Sequence, residues 1–251
     1  MIFGTIEGWD KGMSFCGGQE VSHAIKKYTI EELHEHILNA IRSGFNQFDT
    51  SPLYLNEKEV GEVLQGLDVR IISKLPEKSY GYDKVIEEFE KSSKNLNITD
   101  YLIHWPSFPV NELESTWRAF EYLKQKFKIN IGVCNFDIFQ LKKLMKIAIQ
   151  QPQINQFECN VFLQNLELID FCNSNDIEMQ SYSSVFRGKS DLKIEDMIGW
   201  LLNQNINPIV SSNKKERLEQ FINCKKHDKD MSEFNTNTRM LMNPNLYCDW
   251  T

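Results

Sequence analysis

The stretch Gly44-Phe45-Asn46-Gln47-Phe48-Asp49-Thr50-Ser51-Pro52-Leu53-Tyr54 reads as a short apolar strand that ends on an acid and then reaches a tyrosine. Two later strand ends add partners. Val69-Arg70-Ile71-Ile72-Ser73-Lys74 ends on a lysine, and Tyr101-Leu102-Ile103-His104 ends on a histidine. Acid, tyrosine, lysine and histidine delivered from successive strand ends suit the reduction of a carbonyl. A tyrosine hydroxyl, with an ordinary pKa of roughly 10, is a poor acid at neutral pH. A lysine cation beside it favours the tyrosinate and is expected to lower that pKa. Asp49 would hold the lysine, and His104 would orient the substrate oxygen or share its proton.

Outward from that stretch, strand-like and helix-like segments alternate. The strand-like runs are Ile2–Ile6, Phe45–Asp49, Val69–Lys74, Tyr101–His104, Ile129–Val133, Gln153–Phe157, Ile177–Gln180 and Pro208–Val210. Helical patterns lie between them. Thr29 with Glu32, Asn56 with Glu59, Asp137, and Asn213 with Glu216 are their expected starting caps. Alternation of this kind implies parallel strands with helical crossovers, and its repeat number favours a (β/α)8 TIM barrel over an open sheet. The expected organisation is a single domain over residues 1–251, with the barrel over about 1–222 and a C-terminal helix and tail over 223–251. The helix is expected at Ser232–Met242. No Gly-x-Gly-x-x-Gly turn or P-loop follows a strand, so a Rossmann reading lacks its phosphate-binding turn.

The 251 residues carry a formal net charge of -7, which argues against a polyanion-binding surface and against nucleic acid as a partner. No apolar run approaches a membrane span, and the start Met1-Ile2-Phe3-Gly4-Thr5 lacks the basic and apolar regions of a signal peptide. The six cysteines are scattered with no C-x-x-C pair, which suits free thiols in a reducing cytoplasm. His34 and His36 lie two apart on a helix and point to different faces, so they form no ligand pair.

Barrel active sites lie at the C-terminal ends of the strands. Asp49, Tyr54, Lys74, His104, Asn135, Gln156, Tyr182, Ser211 and Ser212 all fall there. Singly, each has a plainer reading: an Asx turn for the acid, a solvated lysine, a core histidine. As a set they come with recognisable motifs. These are Phe3-Gly4-Thr5; Asp49 to Tyr54 with Asn56-Glu57-Lys58-Glu59 after it; Leu102-Ile103-His104-Trp105-Pro106; Gly132-Val133-Cys134-Asn135-Phe136; Asn155-Gln156-Phe157-Glu158; and Tyr182-Ser183-Ser184-Val185-Phe186-Arg187-Gly188. Together they resemble the aldo-keto reductase family from about Phe3 to Gln220.

The resemblance implies an NAD(P)H-dependent reduction of an aldehyde or ketone, with no metal. Tyr54 is then the general acid, supported by Asp49, Lys74 and His104. Gly4, Thr5, Asp49 and Cys134 would contact the cofactor, Asn135 and Gln156 would hydrogen-bond the nicotinamide carboxamide, and Tyr182 would stack on the nicotinamide ring. Ser183, Val185 and Arg187 would line the pyrophosphate. Ser211, Ser212 and Arg217 would approach the adenosine end. Cys134 replaces a serine of the family pattern. Ser211 stands where many NADPH-dependent members have lysine. Arg217, with Lys214 and Lys215 nearby, keeps the basic character, so NADPH is preferred and NADH stays open. Ile6 replaces an aromatic, for which Trp9 is a candidate substitute. The pocket walls look short, and the tail is expected to fold over the strand ends with Tyr247 or Trp250 near the pocket. Two other readings are a non-catalytic, cofactor-sensing regulatory subunit of the same fold and a barrel hydrolase. The hydrolase would need two acids flanking one pocket, where only Asp49 is well placed.

Overall fold

A strand buried on both faces and followed by an amphipathic helix must return to the same sheet, and repetition of that unit closes the sheet on itself. The computed structural model describes residues 1–6, 28–106 and 109–240. In chain order the elements are β1 (Ile2–Gly4), α1 (Ile30–Arg42), β2 (Gln47–Asp49), α2 (Glu57–Leu64), β3 (Arg70–Leu75), α3 (Tyr82–Ser92), β4 (Asp100–Ile103) and α4 (Val110–Phe127). They continue with β5 (Asn130–Cys134), α5 (Ile138–Ile147), β6 (Ile154–Glu158), α6 (Leu166–Ser174), β7 (Glu178–Tyr182), α7 (Ile194–Asn203), β8 (Ile206–Val210) and α8 (Lys215–Ile222). The strands form a closed parallel barrel in sequence order, sealed where Ile2 of β1 pairs with Ile209 of β8. This is the (β/α)8 architecture expected from the alternation.

Side chains alternate across each strand, so residues two apart share a face. Outward-facing residues pack under the helices. Tyr101 stacks on Phe120 of α4 with ring centroids 5.2 Å apart, and Trp117 stacks on Phe120 at 5.6 Å. Burial of each such side chain contributes roughly 1.5–3 kcal/mol. The barrel interior is layered. At the N-terminal end, Arg70 lies between Asp100 and Glu178. In the middle, Ile2, Ile72, Leu102 and Ile154 pack together with Cys134. Gly132 belongs to this narrow level, because a Cβ there would lie 2.5 Å from the Ile154 carbonyl oxygen and 2.9 Å from Leu102. At the C-terminal end come Asp49, Lys74, Gln156 and Tyr182, each two residues beyond an interior position of its strand.

Two expected caps form as capping boxes, Thr29 with Glu32 on α1 and Asp137 with Gln140 on α5. The other two do not. Asn56 stands at the start of α2 without capping it, and α8 begins after Lys214, where Ser212 Oγ accepts from the Lys214 amide. The helix expected over Ser232–Met242 is a single 3-10 turn, Ser232–Phe234, followed by irregular chain to Met240. Tertiary bonds outcompete the helix there. Gln164 Nε2 donates to the Met231 carbonyl at 2.7 Å, and the Thr238 amide donates to the Phe162 carbonyl at 3.1 Å. Trp9, Tyr247 and Trp250 lie outside the described residues. Among those described, no helix is long and apolar enough to cross a membrane. Cys134, Cys159, Cys172 and Cys224 are buried free thiols.

Candidate active site

β2 ends on Asp49, and the chain turns through Ser51 into a 3-10 turn, Pro52–Tyr54, whose first amides are capped by Ser51. That turn carries the Tyr54 ring back over the barrel mouth. β3 brings Lys74 up from the next strand, wholly buried. An ammonium has three N–H donors, and the three contacts of Lys74 Nζ are Asp49 Oδ1 at 2.7 Å, the Thr50 carbonyl at 2.9 Å and Tyr54 Oη at 3.2 Å. Asp49 Oδ2 accepts from Gln156 Nε2 at 2.8 Å, which fixes the carboxylate from its other side. His104 follows β4 and meets the Tyr54 ring edge-on, with centroids 6.2 Å apart. Its Nδ1 lies 3.4 Å from Ser51 Oγ.

Burial dominates the electrostatics. It pushes the Tyr54 hydroxyl up to about 12, and the Lys74 cation opposes this without overcoming it. The lowering expected from the lysine alone is therefore reversed in this enclosed site. Burial would also neutralise Lys74, but Asp49 and Tyr54 outweigh it and hold the ammonium charged above its usual range. Burial, and then Lys74, keep His104 well below the ordinary histidine value, so its imidazole is neutral near pH 7.

A cleft of about 730 Å³ opens above these groups and runs from His104 and Trp105 to Arg217 and Phe221. Gly4, Asp49, Tyr54, His104, Asn135, Gln156, Tyr182, Ser183, Val185, Arg187, Ser211 and Arg217 lie on its wall. Lys74 lies beneath it, reaching Tyr54. Three other candidates are set back. Thr5 is buried, and its hydroxyl donates to the Asp49 carbonyl. Cys134 points into the apolar middle of the barrel, where burial raises its thiol above the usual range. Ser212 is occupied with the Lys214 amide. Lys215 pairs with Glu219 on the helix surface, 3.6 Å away.

The cleft also contains features absent from the sequence reading. Asn135 adopts a left-handed backbone with φ of 66°. Its side chain donates to the His104 carbonyl at 3.0 Å and accepts from the Tyr182 hydroxyl at 2.6 Å. Gln156 spends its amide nitrogen on Asp49 and on Gln180 Oε1, 3.0 Å away. Its own carbonyl oxygen is then the atom suited to a ligand's N–H. Beyond Tyr182, the β7–α7 loop holds Ser183, Phe186, Arg187 and Gly188 at positive φ. Trp105, Leu192, Ile194, Met197 and Ile209 supply apolar wall. Trp105 sits beside His104 in a quoted motif, whereas nothing local in the sequence marks the other four. A long cleft with an aromatic face, amide groups at its inner end and cations at Arg187 and Arg217 fits an elongated anionic dinucleotide.

The sequence profile of the Aldo/keto reductase family matches residues 12–199. Glyoxal reductase of Bacillus subtilis (strain 168) is 35% identical over 167 residues, 63% of this chain and 60% of that protein. The chain thus spans under two thirds of that relative. The oxidoreductase YtbE of the same organism, itself uncharacterized, is 31% identical over 242 residues, 86% of this chain and 85% of that protein. Among solved structures, MGS-M4, an aldo-keto reductase from a Medee basin deep-sea metagenome library, superposes with a TM-score of 0.76 at 31% identity, covering 87% of this chain and 90% of the other. A Bombyx mori aldo-keto reductase in complex with NADP shares the fold with a TM-score of 0.78 at 22% identity, covering 96% and 90%.

Proposed function

The chain belongs to the aldo-keto reductase family, whose members are NAD(P)H-dependent oxidoreductases, and from that premise we propose that it reduces an aldehyde or ketone to an alcohol with Tyr54 as general acid. The observation that carries this reading is the single Lys74 ammonium, 2.7 Å from Asp49 and 3.2 Å from Tyr54, directly under the cleft.

The reduced nicotinamide supplies the hydride when bound. Every other requirement falls to side chains. Tyr54 stays protonated through neutral pH because burial raises it, so it meets the substrate with its proton in place. As that proton moves to the carbonyl oxygen, the developing tyrosinate lies beside a fixed ammonium in a water-poor setting, where such stabilisation is strongest. Asp49 and Gln156 keep the ammonium from turning away. His104 is neutral. With Ser51 donating to Nδ1, its Nε2 keeps a hydrogen with which to orient the carbonyl oxygen. Tyr182 offers its ring face to the nicotinamide, and Asn135 and the Gln156 oxygen serve the carboxamide. Arg217 suits a ribose 2′-phosphate, since a guanidinium binds such a group through paired contacts. That favours NADPH over NADH.

The test is consumption of NADPH with glyoxal or benzaldehyde by the wild-type chain and by Tyr54→Phe. Turnover should fall by about 10²-fold or more in the variant, the scale of general acid catalysis, while NADPH affinity is retained. Near-normal turnover by Tyr54→Phe would remove the acid assignment. Tight NADPH binding with no carbonyl-dependent oxidation by the wild type would favour a regulatory, cofactor-sensing role.

A further inference from the structure

Asn56 stands at the start of α2, where an asparagine side chain ordinarily accepts a hydrogen bond from the first-turn amides. Here it makes no such bond. The side chain is wholly buried and turned inward. Its Nδ2 donates to the Thr5 carbonyl at 2.9 Å, and its Oδ1 accepts from Thr50 Oγ1 at 3.3 Å.

Both partners lead to the proton-transfer cluster. The Thr5 amide and hydroxyl donate to the Asp49 carbonyl, at 2.9 and 3.0 Å. The Thr50 carbonyl accepts from Lys74 Nζ at 2.9 Å. One carboxamide thus spans from β1 to the turn that carries Tyr54, and it touches the immediate neighbours of Asp49 and Lys74. It also follows Leu55, a residue without glycine's freedom that is held in the left-handed region with φ of 58°. Such a conformation persists where surrounding contacts over-determine it. A group with a donor and an acceptor on one short stem is what the site uses, and the carboxamide has both. Alanine has neither, and a carboxylate would face the Thr5 carbonyl without a proton.

We propose that Asn56 is a positioning residue that fixes the Tyr54 hydroxyl against Lys74 by tying the tyrosine turn to β1 and to Thr50. This rests on the reading of Tyr54 as the general acid. A displacement of about 1 Å in such a group costs as much as 10²-fold in rate.

Asn56→Ala and Thr50→Val test it, the second removing only a hydroxyl and leaving the carbonyl that holds Lys74. With NADPH and benzaldehyde, Asn56→Ala should lower kcat by about 10- to 10²-fold while NADPH affinity, from quenching of protein fluorescence, stays within about threefold. Thr50→Val should lower kcat less. The double variant should be no slower than Asn56→Ala alone, because the two share one connection. The NMR resonance of the Tyr54 ring carbon that bears the hydroxyl, assigned with Tyr54→Phe, should move in both single variants. A lowered Tm with kcat within about twofold of wild type would make Asn56 merely structural and overturn the proposal. So would an unmoved resonance. If the wild type turns over no carbonyl, the resonance alone decides: a shift upholds the brace although the reductase reading has failed. If Asn56→Ala does not fold, Thr50→Val is judged by the same readouts.

Discussion

The two ends of this barrel each hold an ion cluster, and the clusters differ in what they leave undone. At the N-terminal end, Arg70 grips Asp100 through Nε and Nη2, at 2.8 and 2.9 Å, and Glu178 through Nη1 and Nη2, both at 2.8 Å. Thr99 and Asn130 complete Asp100, and Gln180 adds a bond to Glu178. A guanidinium cannot release its proton in a protein, and its partners here are carboxylates that are well satisfied. At the C-terminal end, Lys74 meets one carboxylate, one carbonyl and one phenol. The phenol can ionise, and it faces a cleft. Similar ion-pair chemistry thus spends every partner at one end and, at the other, leaves a weak acid open to a ligand, which is the difference the proposed reaction would use.

The sharpest way to break this contrast is Arg70→Met. It leaves Asp100, wholly buried, without its cation. The variant should lose about 3 kcal/mol of unfolding free energy, at the low end for a broken buried pair because Arg70 keeps some water contact. Its folded fraction should keep wild-type kcat. A fall in kcat would show that the two ends are coupled.

His104→Gln should separate the ends by pH. Burial holds His104 below its ordinary value, so the unfolded chain takes up a proton near pH 6.5 that the folded chain refuses. The contribution is fully present above about pH 6.5 and is lost as the pH falls toward the depressed folded value. Between about pH 7.5 and 5, wild type should lose more stability than the variant in urea unfolding, with a ceiling of about 2 kcal/mol set by the unfolded value. Glu57 and Glu77 are raised by burial, Glu77 to about 7, and titrate in the opposite sense, but both are common to the two proteins. Equal pH slopes would mean that His104 titrates normally.

The smallest effect belongs to Arg217→Ala. This exposed arginine of the cleft wall should leave Tm unchanged and weaken NADPH by about tenfold with NADH unaffected. An unchanged preference in fluorescence titrations would assign the discrimination elsewhere.

Much of this architecture is legible in the chain. Each strand of the barrel overlaps its apolar run, because burial on both faces demands one. Asp49, Tyr54, Lys74 and His104 converge as their positions at successive strand ends suggest. What stays hidden depends on side-chain direction and on burial. Cys134 lies next to Asn135 in sequence, yet it points into the barrel interior while Asn135 reaches the cleft. Asn56 reads as a cap because local pattern cannot reveal a bond to Thr5. The raised Tyr54 value follows from enclosure, which neighbouring residue types do not record. The segment from Ser232 misleads for a similar reason, since beyond its single 3-10 turn the described chain is held by Phe162 and Glu158, through the Thr238 and Met240 amides, rather than by further helical bonds.

Two glutamines join the polar ends through the apolar middle. Gln156 reaches from Asp49 to Gln180, and Gln180 reaches on to Glu178. An amide can transmit orientation, but near neutral pH it neither takes up nor gives away a proton. The rest of that level is Ile2, Ile72, Leu102, Ile154 and a thiol held protonated. On the proposed chemistry, Tyr54 is therefore recharged from water at the barrel's mouth, along the path by which the alcohol departs. On that chemistry, a product that lingers would delay the next proton as well as the next substrate.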